Sequence, residues 1–271
     1  MEDAGAATGA GRWPPVRDWD DAYENTGNIP DGATHPPRWL RLSQEALRMA
    51  RVEDGIFLPE GRPRGLMVFI HGGYWMATDP GHYAHLARGA VARGWAVAMP
   101  TYTHAPRGAL AQMKAEVAAT VTEAARRIAG PVVLTGHSAG GHLAARLVCT
   151  DAPLSPLVMA RIARVVPISG LFDLRPLRRT LMAGPLGLTP AVALAESPAL
   201  LEPVPGIDLH AWVGAEERPE FLRQSHLLSV IWHGLGAPVR VTEEAGRHHF
   251  DVIDGLAEAD SPLMEAVLGG L

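Results

Sequence analysis

A serine set between small residues is the part of the sequence best suited to do chemistry. Residues 136–140 read Gly-His-Ser-Ala-Gly, with an apolar run at 131–135 before them and a helix-like stretch at 141–149 after them. This order predicts a strand, a tight turn and a helix, with Ser138 at the apex as a nucleophile. Small residues are needed there because the strained turn packs closely against its neighbours. A chance turn in a chain rich in glycine and alanine is the alternative.

A second glycine-rich turn offers hydrogen-bond donors to that serine. The apolar strand predicted at 65–71 ends in the letters HGGYW at 71–75. An HGG-type turn after a strand supplies backbone N–H groups that stabilise an oxyanion in lipases and esterases. The predicted donors are the N–H groups of Gly73, Tyr74 and Ala139. An ordinary strand-to-helix turn is the other interpretation.

A serine hydroxyl needs a base, and in this arrangement the base is the last member of the triad along the chain. The sequence has 12 histidines, of which His248 and His249 stand in a loop after the last predicted strand. We choose His249 because the residues that follow it look like an anchored helix start. His137 and His142 flank Ser138, but histidines in such positions are more often packed than catalytic.

A carboxylate must orient that histidine and stabilise its charged form. Glu216 and Glu217 follow the strand predicted at 207–213, where the acid is expected. Asp173, after the preceding strand, is the competing candidate. Glu220 is expected to face solvent on the next helix.

Apolar strands and amphipathic helices alternate along the chain, which predicts an α/β fold with a mostly parallel sheet and helices on both faces. The predicted strands are 65–71, 95–99, 131–135, 163–168, 207–213 and 238–243. The predicted helices after the first strand are 82–93, 110–128, 141–149, 219–231 and one from about residue 260. Residues 170–205 show no strand pattern and are predicted to form a small cap insertion over the site.

The N-terminal part of the chain has a different character. Residues 1–12 lack periodicity and are predicted to be a disordered tail, so that 13–271 form a single domain. An irregular arm at 13–37 is expected to lie over the body of the protein. The helix predicted at 37–51 is expected to turn three apolar side chains inward, namely Leu40, Leu47 and Met49.

Composition excludes several classes of function. A net charge of −5 gives no basic surface for nucleic acid, and no apolar run is long enough for a membrane span. Without a leader-like start, the chain is predicted to be cytoplasmic. The adjacent His248 and His249 lack the spacing of metal ligands. Cys149, the one cysteine, is expected to be a buried structural thiol. The expected partner is a small molecule, and the sequence leaves a homo-oligomer open.

Five stretches together resemble the kynurenine formamidase (arylformamidase) branch of the α/β-hydrolases. They are HGGYW at 71–75, GHSAGGHLAA at 136–145, ISGLFDLRPL at 168–177, PEFLRQS at 219–225 and HHFDVI at 248–253. The resemblance extends from about residue 23 to residue 253. It implies the α/β-hydrolase fold, no cofactor, and hydrolysis of an aryl formamide such as N-formyl-L-kynurenine to the free aniline and formate.

The sequence departs from this family at two places. In the family the acid stands just before the SPEF-type stretch, which assigns the role to Glu217, but the usual residue is aspartate, with serine at the position of Arg218. The family also has a clear strand before the HGG strand. Here residues 51–59 are interrupted by Gly55, so the sheet is expected to be shortened at that edge.

The pocket and the substrate leave alternatives. Tyr74 and Trp75, beside the HGG turn, are candidates for an aromatic substrate-binding wall, and core packing under the cap is the alternative. A general short-acyl carboxylesterase shares the triad and the HGG turn, because pocket shape decides the substrate. A non-catalytic binding protein on a hydrolase scaffold is the third hypothesis.

Overall fold

The computed structural model describes residues 12–271, so the predicted tail at 1–12 lies outside the described residues except for Arg12. Eight strands form one sheet with the order β1-β2-β4-β3-β5-β6-β7-β8. The strands are Val52–Glu53 (β1), Ile56–Phe57 (β2), Leu66–Ile70 (β3), Ala96–Ala98 (β4), Val132–His137 (β5), Ile162–Ile168 (β6), Leu209–Gly214 (β7) and Val239–Glu244 (β8).

The sheet is parallel from β4 to β8 and antiparallel at one edge. Strand β2 pairs antiparallel with both β1 and β4. Asp54 and Gly55 connect β1 to β2 with left-handed backbone angles, φ 47° and 77°, which makes a tight hairpin. Gly55 therefore splits this region into two strands of two residues each, and the edge is short as predicted.

Nine α-helices accompany the strands in the described part of the chain. They are Trp19–Tyr23 (α1), His35–Leu47 (α2), Ala87–Ala92 (α3), Leu110–Arg127 (α4), Ala139–Arg146 (α5), Pro156–Met159 (α6), Pro190–Ala195 (α7), Pro219–Gly234 (α8) and Pro262–Leu268 (α9). None of these helices is both long and apolar enough to cross a membrane. The segment 170–205 contains α7 and short 3₁₀ turns but no strand of the sheet; its role as a cap stays a prediction.

Helices cover both faces of the sheet, as predicted. Leu66 and Val68 of β3 point into a core that includes residues of α4, α5 and α8. Met67 and Phe69, which alternate with them, point into a second core with residues of α3 and α9. A strand buried on both faces needs a continuous apolar run, and β3 has one.

Helix α2 does not bury the residues that were predicted. Trp39 and Ser43, one turn apart, are its buried residues. Leu40 and Leu47 lie beside that face and are 37% and 43% exposed, and Met49 lies beyond the helix end at 92% exposure. The prediction is wrong because the large Trp39 ring sets the inner face.

Candidate active site

Ser138 lies in a strained turn between β5 and α5. Its backbone angles, φ 55° and ψ −115°, are uncommon for a residue with a side chain. A Cβ atom on Gly140 would lie 1.9 Å from the Ile70 carbonyl oxygen, and one on Gly136 would lie 2.5 Å from the Gly140 carbonyl oxygen. Both glycines are therefore required for the turn, as the small-residue pattern predicted.

The HGG turn borders this serine directly. A Cβ atom on Gly72 would lie 3.2 Å from Ser138 Cβ. Gly73 and Tyr74 then follow with left-handed φ angles of 99° and 50°. Among the described residues, the N–H groups of Gly73, Tyr74 and Ala139 have no acceptor. Free N–H groups next to a serine are what a developing oxyanion requires.

His249 and Glu217 form a buried pair. The His249 Nδ1 atom lies 2.6 Å from Glu217 Oε2, and the two side chains are 3% and 0% exposed. The other carboxylate oxygen of Glu217 accepts the Gly214 N–H at 2.9 Å and the Ser169 hydroxyl. Each oxygen of Glu217 is thus hydrogen-bonded, which fixes the direction of the carboxylate toward the imidazole.

The competing acids lie elsewhere. Asp173 makes two 2.9 Å contacts with Arg175, and Glu216 is exposed. The geometry favours Glu217 over both of them. Glu220 is buried rather than solvent-facing, because Tyr23 of α1 donates to it at 2.8 Å and Arg223 pairs with it. The prediction that Glu220 faces solvent is wrong because the N-terminal arm covers this part of α8.

His137 holds the backbone of His249. Its Nε2 donates to the His249 carbonyl oxygen at 2.8 Å, and the two rings are 4.6 Å apart. Burial keeps the pKa of His137 well below its usual range, so the ring is neutral and its Nδ1 carries no proton.

No hydrogen bond joins the Ser138 hydroxyl to His249 within residues 12–271. Such contacts often tighten only when a substrate binds.

His142 connects the HGG turn to the segment at 170–205. The Trp75 indole N–H donates to His142 Nδ1 at 3.3 Å, and His142 Nε2 donates to the Glu196 carbonyl oxygen at 2.7 Å. Burial lowers the pKa of His142 to about 3, which keeps the ring neutral for both contacts. Trp75 has no exposed surface. The structure places it in the core rather than on a pocket wall, so only Tyr74 of the predicted pair is retained.

Sequence reasoning missed Ser169 as the partner of Glu217. Ser169 directly follows β6 and also has a left-handed φ, 51°. Because β6 lies between β5 and β7, its carboxyl end meets the ends that carry Ser138 and Glu217. A polar residue at the end of that strand was the available signal.

Throughout residues 12–271, no group of three or more His, Cys, Asp or Glu side chains could hold a metal ion.

Comparisons with known proteins agree with this architecture. Residues 67–268 match the alpha/beta hydrolase family. A kynurenine formamidase from Danio rerio is 30% identical over 270 residues, which cover 95% of this chain and 92% of that protein. One from Salmo salar is 31% identical over 212 residues, covering 75% of this chain and 71% of that protein.

Solved structures give the same fold. A crystal structure from Silicibacter sp. TM1040, whose protein carries a provisional thioesterase name, has a TM-score of 0.86 at 42% identity and covers 92% of this chain and 98% of its own. A Pyrobaculum calidifontis esterase, at 18% identity and a TM-score of 0.63 over 86% of this chain and 90% of its own, supports the fold alone. The predicted fold is confirmed, and the chain is a hydrolase that belongs to the kynurenine formamidase branch of the alpha/beta hydrolase family.

Proposed function

We propose that the protein hydrolyses aryl formamides, with N-formyl-L-kynurenine as the substrate, through Ser138, His249 and Glu217. The observation that carries the proposal is the buried contact of 2.6 Å between His249 and Glu217, beside a serine held in a strained turn. The names of the relatives from Danio rerio and Salmo salar support this choice of substrate.

The reaction follows from the chemistry of these groups. His249 removes the Ser138 proton, and the serine oxygen attacks the formyl carbon. The N–H groups of Gly73, Tyr74 and Ala139 stabilise the oxyanion. His249 then protonates the leaving aniline, while Glu217 stabilises the imidazolium. Water, activated by the same histidine, releases formate from the serine.

An aryl formamide suits a site of this kind. An amide is harder to cleave than an ester because its nitrogen must be protonated before it leaves. The formyl group is the smallest acyl group, and an aniline leaves more easily than an alkyl amine. A tight acyl site would admit formyl and exclude longer chains.

A short-acyl ester or thioester hydrolase is the second candidate. The solved structure at 42% identity with a provisional thioesterase name favours it. The same three side chains and the same oxyanion donors serve both reactions, so the acyl pocket and the leaving group decide between them.

The deciding experiment compares kcat/KM for N-formyl-L-kynurenine, p-nitrophenyl butyrate and a short-acyl aryl thioester on one preparation. We expect the formamide to be the best of the three substrates. Ser138→Ala is the blank, and its turnover should fall to the residual level of on the order of 10³–10⁴ over water that oxyanion donors and binding provide. A clear preference for the butyrate ester or the thioester discards the formamidase proposal, and Ser138→Ala within about tenfold of the parent discards the nucleophile.

A further inference from the structure

Asn25, in the N-terminal arm, has a buried oxygen atom without a hydrogen-bond partner. The residue is 2% exposed, and its Oδ1 atom finds no donor among the described residues. A buried amide oxygen without a donor is costly, and native proteins keep few of them. A ligand that brings an N–H group would remove this cost.

The hydrogen bonds of Tyr74 fix which end of the Asn25 amide is free. The Tyr74 phenol donates its single hydrogen to the Tyr23 carbonyl oxygen. Asn25 Nδ2 lies 2.7 Å from the same phenol oxygen. Because the phenol hydrogen is already used, this contact requires an N–H from Asn25. The unpartnered atom is therefore the oxygen, an acceptor.

The arm that carries Asn25 touches both halves of the candidate site. On one side, Asn25 contacts Tyr74, the residue after Gly73 in the HGG turn. On the other, the Tyr23 ring lies 6.1 Å from the Phe221 ring, which lies 4.3 Å from the His249 ring. The arm thus contacts the side chain of Tyr74, whose N–H is one of the expected oxyanion donors, and a ring that packs against the expected base.

The leaving atom of the substrate must lie close to His249, which protonates it. In an aryl formamide this atom carries an N–H group, whereas in an ester it is an oxygen with no hydrogen to donate. We propose that Asn25 Oδ1 accepts a hydrogen bond from the scissile N–H, and that Asn25 thereby makes the site select amides over esters. This inference rests on the proposed function.

The test is the ratio of kcat/KM for formanilide to kcat/KM for phenyl formate, measured on one preparation. Asn25→Leu and Asn25→Asp both remove the N–H donated to Tyr74, but only Asn25→Asp keeps an acceptor oxygen. We expect the ratio to fall about tenfold in Asn25→Leu and to stay within about threefold of the parent in Asn25→Asp. The ratio is independent of the fraction of folded enzyme.

Equal losses on both substrates in Asn25→Leu would mean that Asn25 only supports the arm, which overturns the inference. If Asn25→Leu does not fold, the test is kcat/KM of the parent enzyme for N-methylformanilide, which lacks the N–H group. A value equal to that for formanilide overturns the inference. If the parent cleaves formanilide and the ratio in Asn25→Leu equals that of the parent, this inference alone is overturned. A parent that cleaves no anilide overturns the proposed function with it.

Discussion

At the residue scale, the acid beside His249 is a glutamate where the family pattern has aspartate. The longer side chain is accommodated because Glu217 folds back on the end of its own strand. Its N–H donates to the Gly214 carbonyl at 3.2 Å, and Gly214 N–H donates to its carboxylate at 2.9 Å. This local loop takes up the additional methylene and still brings the carboxylate to the imidazole.

Glu217→Gln should therefore lower kcat by on the order of 10³–10⁴, because a neutral amide cannot stabilise the imidazolium. Asp173→Asn is the matched control, since it removes a buried carboxylate that pairs with Arg175 and makes no contact with His249, and kcat should change little. Steady-state kcat for the formamide, with circular dichroism to check folding, measures both effects. A larger loss in Asp173→Asn would move the acid to the earlier strand.

Single residues were predictable where a motif restricts the backbone. Ser138 and the glycines around it follow from the strained turn, and His249 from its place after the last strand. The acid was left open between Glu217 and Asp173, because spacing along the chain does not say which loop folds back toward the histidine. Ser169 was missed because a strand-end hydroxyl is chemically ordinary until its neighbours are known.

At the scale of elements, Glu196 ties the segment at 170–205 to the helices beneath it. Its carboxylate lies 3.1 Å from Lys114 Nζ of α4 and 3.0 Å from Arg146 Nε of α5. Arg146 also pairs at 2.7 Å with Asp151. Glu196 is nearly fully buried, whereas the Asp151 side chain is 55% exposed.

Glu196 and Asp151 both pair with Arg146, so substitutions of these two residues can be compared directly. Glu196→Gln should lower the free energy of unfolding by about 3–5 kcal/mol, because it leaves the buried Lys114 without a counter-charge and leaves Arg146 with only the more exposed Asp151. Asp151→Asn should cost at most about 1 kcal/mol, because water screens the exposed Asp151 carboxylate and Arg146 keeps Glu196 as its buried counter-charge. Urea unfolding of both variants gives the comparison. Equal losses would show that burial of Glu196 has no bearing on the network.

Elements without a regular pattern were the least predictable from sequence. The strands and the long helices appear within a few residues of their predicted bounds. The arm at 13–37 carries no periodicity, yet Tyr23 and Asn25 are buried and hydrogen-bond to distant parts of the chain. Such contacts leave no trace in local spacing, which also explains why Glu220 was expected at the surface.

At the scale of the whole molecule, buried neutral histidines make stability depend on pH. Burial lowers the pKa of His71 to about 4, of His85 to about 4 and of His142 to about 3, while the unfolded chain titrates near the ordinary value of about 6.5. Between these values the unfolded state binds more protons, so the free energy of unfolding decreases as the pH falls below about 6.5.

We expect this loss to be on the order of 1–2 kcal/mol for each of these histidines by about pH 5. The urea midpoint, followed from about pH 7 to about pH 5, measures it. His85→Gln keeps a group that can hydrogen-bond Ser43, the partner of His85 at 2.8 Å, but does not titrate. The pH dependence of this variant should be shallower than that of the parent. A midpoint that does not change over this range would contradict the prediction.

The buried thiol has a practical consequence for attaching the enzyme to a surface. Cys149 is the one cysteine in the sequence; it is buried, and burial raises the pKa of its thiol to about 12. A maleimide reacts with thiolates, so Cys149 should stay unlabelled near neutral pH. Arg62 is exposed and precedes β3, at the end of the sheet away from Ser138. Arg62→Cys would therefore give the protein one reactive thiol, through which it can be immobilised with its candidate active site facing the solution.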